Sequence, residues 1–326
     1  MNKKIVVSLL ATLILASVHL AEAQQAKKVP RIGFLGSGSA SAYSGRIEAF
    51  REGLLNLGYV EGKNITIEYR WAEGKYDRLR EFASELVRLK VDVIVTHGTP
   101  GARAAKQATT TIPIVIAVIG DAVATGLVES LARPGGNITG SSFFGPELYA
   151  KRLELLKEAI PGVTRVAGFL NQDNPANRLA FKAMELTAQS LGVEVHRVEV
   201  RGPNEFDSAF SGMTKRRVDA LVIAQDAMLT AHVRRIAELA VKSRLPSSGF
   251  TDHAEAGGLM GYGVNDLDLW RRAAIFVDKI LKGTKPTDLP VEQAMKFELI
   301  INLKTAKQIG VTIPPNVLAR ADKVIR

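Results

Sequence analysis

No cysteine occurs in the 326 residues. That excludes disulfides, thiolate nucleophiles, cysteine metal sites and a lipid anchor carried on an N-terminal cysteine, and leaves core packing alone to hold the fold, which a chain of this size permits. Histidine is scarce as well: His19, His97, His196, His232 and His253 are the whole set. None stands at H-x-x-x-H or H-E-x-x-H spacing, so no metal site is expected. There is no G-x-S-x-G elbow, no G-x-x-x-x-G-K phosphate loop and no full dinucleotide fingerprint, so no catalytic residue and no cofactor are expected, and the chain is read as a non-enzyme. Aromatic residues make up only 6%. Beyond residue 20 no stretch approaches the ~18 consecutive apolar residues of a membrane-spanning helix.

What is present begins with a leader. Lys3 and Lys4 precede an apolar run, Ile5–Leu20, and Ala21-Glu22-Ala23 offers an A-x-A cleavage site before Gln24. Residues 1–23 therefore read as a secretory signal peptide, which places the mature chain in a bacterial periplasm. The net charge of +10 raises the question of nucleic acid. Yet the basic residues are dispersed (Lys151/Arg152, Lys215-Arg216-Arg217, Arg234/Arg235, Arg271/Arg272) beside acids, as on solvated faces, and no nucleic-acid partner is expected.

The stretch from Val91 to Gly136 sets the architecture. Val91–Val95 (VDVIV) and Ile112–Ile119 (IPIVIAVI) are short apolar runs of the kind buried on both faces of a parallel sheet. Each stops at small polar residues, Thr96-His97-Gly98-Thr99-Pro100 and Gly120-Asp121, and each is followed by an Ala-rich run, 102–108 and 122–132, predicted to be helical. These are two βα units in tandem. Before them come strand Arg31–Leu35, helix Ile47–Leu57, strand Ile65–Tyr69 and helix Asp77–Leu89. After them, Asn137-Ile138-Thr139-Gly140 reads as a crossing. A second run then alternates strands at 165–170, 193–200, 220–223 and 258–264 with helices at 147–160, 175–191, 205–213, 228–242 and 267–281. Strand Phe297–Ile301 is expected to return to the first lobe, with helical pieces at 306–310 and 316–324 closing the chain. The expected fold class is α/β: two Rossmann-like lobes with parallel sheets flanked by helices. Lobe 1 takes 29–138 and part of 266–326, and lobe 2 takes 139–265. The chain passes between the lobes more than once, so a hinged cleft is expected.

Several long runs stand out: RIGFLGSGSA (31–40), AFREGLLNLGYVEGKNITIEYRWAEGKYDRL (49–79), VDVIVTHGTPGARAAKQATTTIPIV (91–115), GDAVATGLVESLARPGGNITG (120–140), KRLELLKEAIPGVTRVA (151–167) and the long stretch from Ala254 to Gly310. In these runs the chain resembles the substrate-binding-protein family of ABC transporters that includes tryptophan- and tyrosine-associated binders. The resemblance implies a type I periplasmic-binding architecture with three inter-lobe crossovers. It also implies capture of a small molecule, an amino acid, aromatic or otherwise, or a related carboxylate, and its delivery to the membrane subunits of an ABC permease by a monomeric protein. The alternative reading is a periplasmic ligand sensor for a receptor kinase.

In an open parallel sheet, ligands sit beyond the carboxyl ends of the strands. That selects Ser37, Ser39, Gly98, Thr99 and Asp121 in the first lobe and Asn171, Asp226 and Tyr262 in the second as candidate ligand-binding residues. A zwitterion needs N–H and hydroxyl donors for its carboxylate and an acid for its ammonium. Gly98 and Thr99, at a helix start, suit the carboxylate. Asp121 and Asp226 suit the ammonium, or equally stand as helix N-caps. Asn171 is a ligand contact or a plain turn residue. Trp71 is a rim residue stacking on ligand or a core residue, and His97 is a neutral lining residue.

Overall fold

The computed structural model describes residues 29–143 and 145–326, so the proposed leader lies outside the described residues. The chain runs β1 (Arg31–Gly36), α1 (Ser44–Asn56), β2 (Thr66–Trp71), α2 (Arg78–Arg88), β3 (Val93–Thr96), α3 (Gly98–Ala108), β4 (Ile114–Ile119) and β5 (Ile138–Ser142). Helix α4 (Gly145–Ala159) crosses to β6 (Arg165–Asn171), α5 (Ala176–Leu191), β7 (Glu194–Val200), α6 (Phe206–Lys215), β8 (Ala220–Ile223), α7 (Ala227–Ala231), α8 (Val233–Lys242), β9 (Ser247–Gly249), α9 (Thr251–Glu255) and β10 (Met260–Val264). Helix α10 (Asp266–Leu281) leads back to β11 (Glu292–Gln293). A last crossing reaches β12 (Phe297–Asn302), α11 (Leu303–Ile309), α12 (Pro315–Leu318) and β13 (Lys323–Ile325).

Two sheets result. The first has the order β11-β5-β4-β3-β1-β2, parallel throughout. The second has the order β13-β12-β10-β9-β8-β6-β7, parallel except where β10 meets β12. The chain passes between them three times. Alternation along each strand sorts side chains onto opposite faces. In the first sheet Ile32, Phe34, Val93, Val95, Val115 and Ala117 pack against Phe50 and Leu54 of α1 and Trp270, Ala273 and Val277 of α10. Leu35, Ile94, Ile114 and Ile116 pack the other way, against Leu79 and Leu86 of α2 and Ala102 and Ala105 of α3. The second sheet is filled by Phe169, Leu221, Ile223, Phe206 and Met184. With helices on both faces, the central strands read as continuous apolar runs.

Four expected elements differ. Ile138–Ser142 is a strand of the first sheet rather than a crossing: its small residues read as a turn, but the sheet edge pairs them with β4. Phe297–Asn302 does not return to the first lobe. It pairs antiparallel with β10, Tyr262 opposite Leu299, in the second sheet. Residues 122–132 do not form a helix. Asp121 Oδ1 accepts from the amides of Val123 and Ala124 (3.1 and 2.9 Å), starting a single turn. Gly126, at φ 70°, ends it, since a left-handed residue reverses the chain. The chain's end, expected to be helical through residue 324, leaves α12 after one turn and adds β13 to the sheet edge.

Gly140 is what lets β5 pair with β4. Its φ is 131°, and a Cβ there would lie 2.1 Å from Ile116 O. Alanine at 140 is expected to destabilise the protein by about 2 kcal/mol, the combined scale of a strained φ and an overpacked contact. Urea denaturation reads this directly, and an unmoved midpoint would show that the β4–β5 edge yields freely.

Candidate functional site

Because their strands run parallel, both sheets point their carboxyl ends at the space between them. There a cavity opens. Its first-lobe wall comes from the ends of β1, β3 and β4 (Ser37, His97, Gly98, Thr99, Ile119, Asp121) and from Tyr43, Arg46 and Tyr76; its second-lobe wall comes from Asn174, Leu179, Gln225, Asp226 and Thr230. The apolar part of the lining comes from Pro100, Val118, Ile119, Phe143, Pro146 and Leu179. The first turns of α3, α4, α5 and α10 all reach the cavity, through Gly98, Gly145, Ala176 and Asp266. Helix starts expose amide N–H groups and partial positive charge, which favours an anion nearby. Helix α3 begins at His97 without a side-chain cap, so its first amides keep their capacity for one.

Of the residues selected from the sequence, Ser37, Gly98, Thr99, Asp121 and Asp226 line this cavity; Ser39, Asn171 and Tyr262 do not. Ser39 is spent on its own loop, where its hydroxyl accepts from Ala42 N (3.2 Å). Tyr262 stacks on Phe297 at 5.9 Å, and its carbonyl accepts from Arg152 Nε (2.7 Å). Asn171 stands behind the wall and donates to Asp226 Oδ1 (3.0 Å). Trp71 is half-buried against the first sheet's core, its ring centroid 5.0 Å from that of Phe34, and does not line the cavity. Phe250 is buried away from the cavity.

Asp226 is saturated. Its Oδ1 accepts from Asn171 Nδ2, Met228 N (2.9 Å) and Leu229 N (3.2 Å). Its Oδ2 accepts from Asn174 Nδ2 (2.9 Å) and from Tyr76 Oη of the other lobe (2.7 Å). It is the cap of α7 and a tie across the cleft. Arg46, which the sequence did not suggest, supplies the second tie. Its Nε donates to Asp266 Oδ2 (2.9 Å) at the start of α10, and its Nη2 reaches Asp252 Oδ2 (2.8 Å) on α9 of the second lobe. Gln225, at the same strand end as Asp226, also lines the cavity. Arg152 Nη2 donates to its Oε1 (3.4 Å).

His97 is neutral in this setting. Burial, with Arg46 adding to it, pulls its pKa down to about 3. Its Nε2 accepts from the Ser37 amide (3.2 Å), which assigns the ring proton to Nδ1. Burial likewise pulls the fully enclosed Arg152 down to about 10. Among the described residues no group of His, Asp and Glu is arranged to hold a metal ion, and no helix is long and apolar enough to cross a membrane.

A family model described as "ABC transporter substrate binding protein" matches residues 38–325. The chain is 27% identical over 263 residues to a tyrosine-binding protein of Clostridioides difficile (strain R20291), covering 80% of this chain and 75% of that one. Among solved structures it is similar to the ABC domain in complex with L-Trp from Streptococcus pneumonia, with 28% identity, 91% of this chain and 99% of that one covered, and a TM-score of 0.84. It is also similar to the ligand-free, open structure of a substrate binding protein with adhesive properties from Clostridium difficile, with 27% identity, coverage of 91% and 99%, and a TM-score of 0.64.

Proposed function

Since the chain belongs to the family of ABC transporter substrate-binding proteins, we propose that its own ligand is a free amino acid with a large apolar side chain, of the tryptophan or tyrosine kind. The observation that carries this reading is the mixed lining of the cavity. Val118, Ile119, Phe143, Pro146 and Leu179 share it with aspartates, tyrosines and helix starts, which suits a zwitterion bearing a hydrophobic side chain. The ligand carboxylate would meet the amides of Gly98 and Thr99 and the Thr99 hydroxyl; Ser37 and His97 line the same end. The relatives that bind L-Trp and tyrosine favour the same class.

The described arrangement is the closed one. It superposes better on the ligand-bound relative than on the ligand-free open relative, and Tyr76–Asp226 and Arg46–Asp252 already bridge the cleft. On this reading the lobes divide after Ser142, before Asp266 and after Gln293. A monomer, exported by cleavage after Ala23, closes on its ligand in the periplasm and delivers it to the membrane subunits of an ABC permease.

Thermal denaturation of the mature protein against the twenty amino acids tests the reading. A ligand at a hundredfold excess over its Kd adds about 2.7 kcal/mol of stability through mass action. Tryptophan, tyrosine or phenylalanine is expected to raise the melting temperature while glutamate and lysine leave it unchanged. A response confined to sugars or to charged amino acids would overturn the assignment.

A further inference from the structure

Three acids gather near one end of the cavity, and they are not paired alike. Asp226, Asp252 and Asp266 share the region with two guanidinium groups, those of Arg46 and Arg152. Arg46 reaches both Asp252 and Asp266 at 2.8 Å. Arg152 touches no carboxylate: its donors go to Tyr262 O, Ile223 O and Gln225 Oε1. Arg46 is thus the guanidinium that pairs with Asp252 and Asp266, and a buried carboxylate oxygen left without a partner is costly.

The three acids are not equivalent. Asp226 has both oxygens filled by five donors. Asp252 is about one-third exposed, so water reaches it. Asp266 is different: Arg46 occupies Oδ2, while Oδ1 is buried with no hydrogen-bond partner. Asp266 also lines the cavity. A structural role accounts for part of this. As the first residue of α10, after the Asn265 cap, Asp266 favours the helix dipole, and its ion pair with Arg46 ties α10 to α1. Neither role uses Oδ1.

We propose that Asp266 Oδ1 receives the ammonium group of the bound amino acid, so that Asp266, rather than Asp121 or Asp226, makes the site demand a ligand with a free amino group. The assignment rests on the amino-acid reading above. The bound ammonium fills the vacant acceptor and sets a second cation beside Asp266 in one contact. Arg46 positions the carboxylate through Oδ2 and, by its grip on Asp252, links ligand recognition to closure of the second lobe. Asp121, whose Oδ1 starts the turn that follows β4, stays at the cavity's first-lobe side.

Titration calorimetry with paired ligands tests this: L-tryptophan against indole-3-propionate, and L-tyrosine against 3-(4-hydroxyphenyl)propionate, each pair differing only in the amino group. The wild type is expected to prefer the amino acid by about tenfold to hundredfold, the range of one charge-assisted hydrogen bond. In Asp266→Asn that preference is expected to collapse, with the amino acid weakened and the des-amino acid held within about threefold. A variant that keeps the preference, or that weakens both ligands of a pair alike, overturns the assignment and leaves the amino-acid reading standing. So does a wild type that binds both ligands of a pair equally. A wild type that binds neither amino acid overturns the amino-acid reading itself, and this assignment with it. If Asp266→Asn fails to fold by circular dichroism, a crystal structure of the wild-type complex decides. An ammonium within hydrogen-bond distance of Asp266 Oδ1 supports the proposal, and an ammonium seated on any other group refutes it.

Discussion

Replacing Arg46 by methionine is expected to weaken amino-acid binding by two to three orders of magnitude while leaving the unliganded protein folded. Methionine keeps most of the aliphatic length but removes the one cation that touches both Asp252 and Asp266. Removing one partner of a buried ion pair costs about 3–5 kcal/mol, because a charge is left in low dielectric without its counter-charge. Here the cost falls on closure. With the lobes apart, water can solvate both acids; with the lobes shut, Asp252 stays about one-third exposed, but Asp266 has only Arg152 nearby, whose donors are committed to Tyr262, Ile223 and Gln225. The closed state is therefore penalised more than the open one, and affinity drops by the difference. Lysine at 46 should fall between, since a single ammonium lacks the fork that reaches two carboxylates at once. Calorimetric Kd values for the wild type, Arg46→Lys and Arg46→Met, set beside their urea midpoints without ligand, check the argument. An Arg46→Met protein that binds like the wild type would show that the bridge to Asp252 takes no part in capture.

The same residue shows where sequence reasoning stops. The central strands are legible because both of their faces are covered, so β3 and β4 appear as unbroken apolar runs, fully buried in the structure. Strands β5, β9 and β11 read as ITGSS, SSG and EQ. Nothing local distinguishes such segments from loops; they become strands only because a neighbouring strand presents unpaired amides and carbonyls. The strand-end rule found Ser37, Gly98, Thr99, Asp121 and Asp226, since it needs only the order of elements. It could not find Arg46 or Asp266, whose contact spans 220 positions and joins the faces of two helices. Nor could it tell that Asp226 is already saturated: Asn171 and Asn174 reach it from the neighbouring strand end of the same lobe, and Tyr76 only where the two lobes meet. Residue type placed an acid near the ligand, and tertiary geometry decides which acid still has an oxygen to offer.

Acidification from pH 7 to pH 5 is expected to cost about 3–4 kcal/mol of unfolding free energy, from two buried histidines that stay neutral when folded. His97 and His253 are each pulled down to about 3, first by burial and then by a nearby guanidinium, Arg46 for His97 and Arg152 for His253. In the unfolded chain both titrate near the ordinary value of about 6.5. Between these limits the unfolded state binds a proton at each site that the folded state refuses. By linkage, stability then falls as pH falls, with a slope of about 1.4 kcal/mol per pH unit per histidine once the pH is well below 6.5. Asp219, held low chiefly by its hydrogen bonds to Thr164 and Arg165 against the opposing effect of burial, acts in the same direction only below the usual carboxylate range. His232 is lowered too, by partial burial and Arg235, and adds a smaller slope of the same sign. His253 separates the contributions cleanly, because it lies in the second lobe outside the ligand cavity, with Nε2 against Ser247 Oγ at 2.8 Å. His253→Gln removes one titrating site. Whatever it costs at pH 7, guanidinium unfolding at pH 7 and pH 5 should show its pH dependence reduced by roughly half relative to the wild type. Identical pH dependence in the two proteins would place the acid sensitivity elsewhere in the fold.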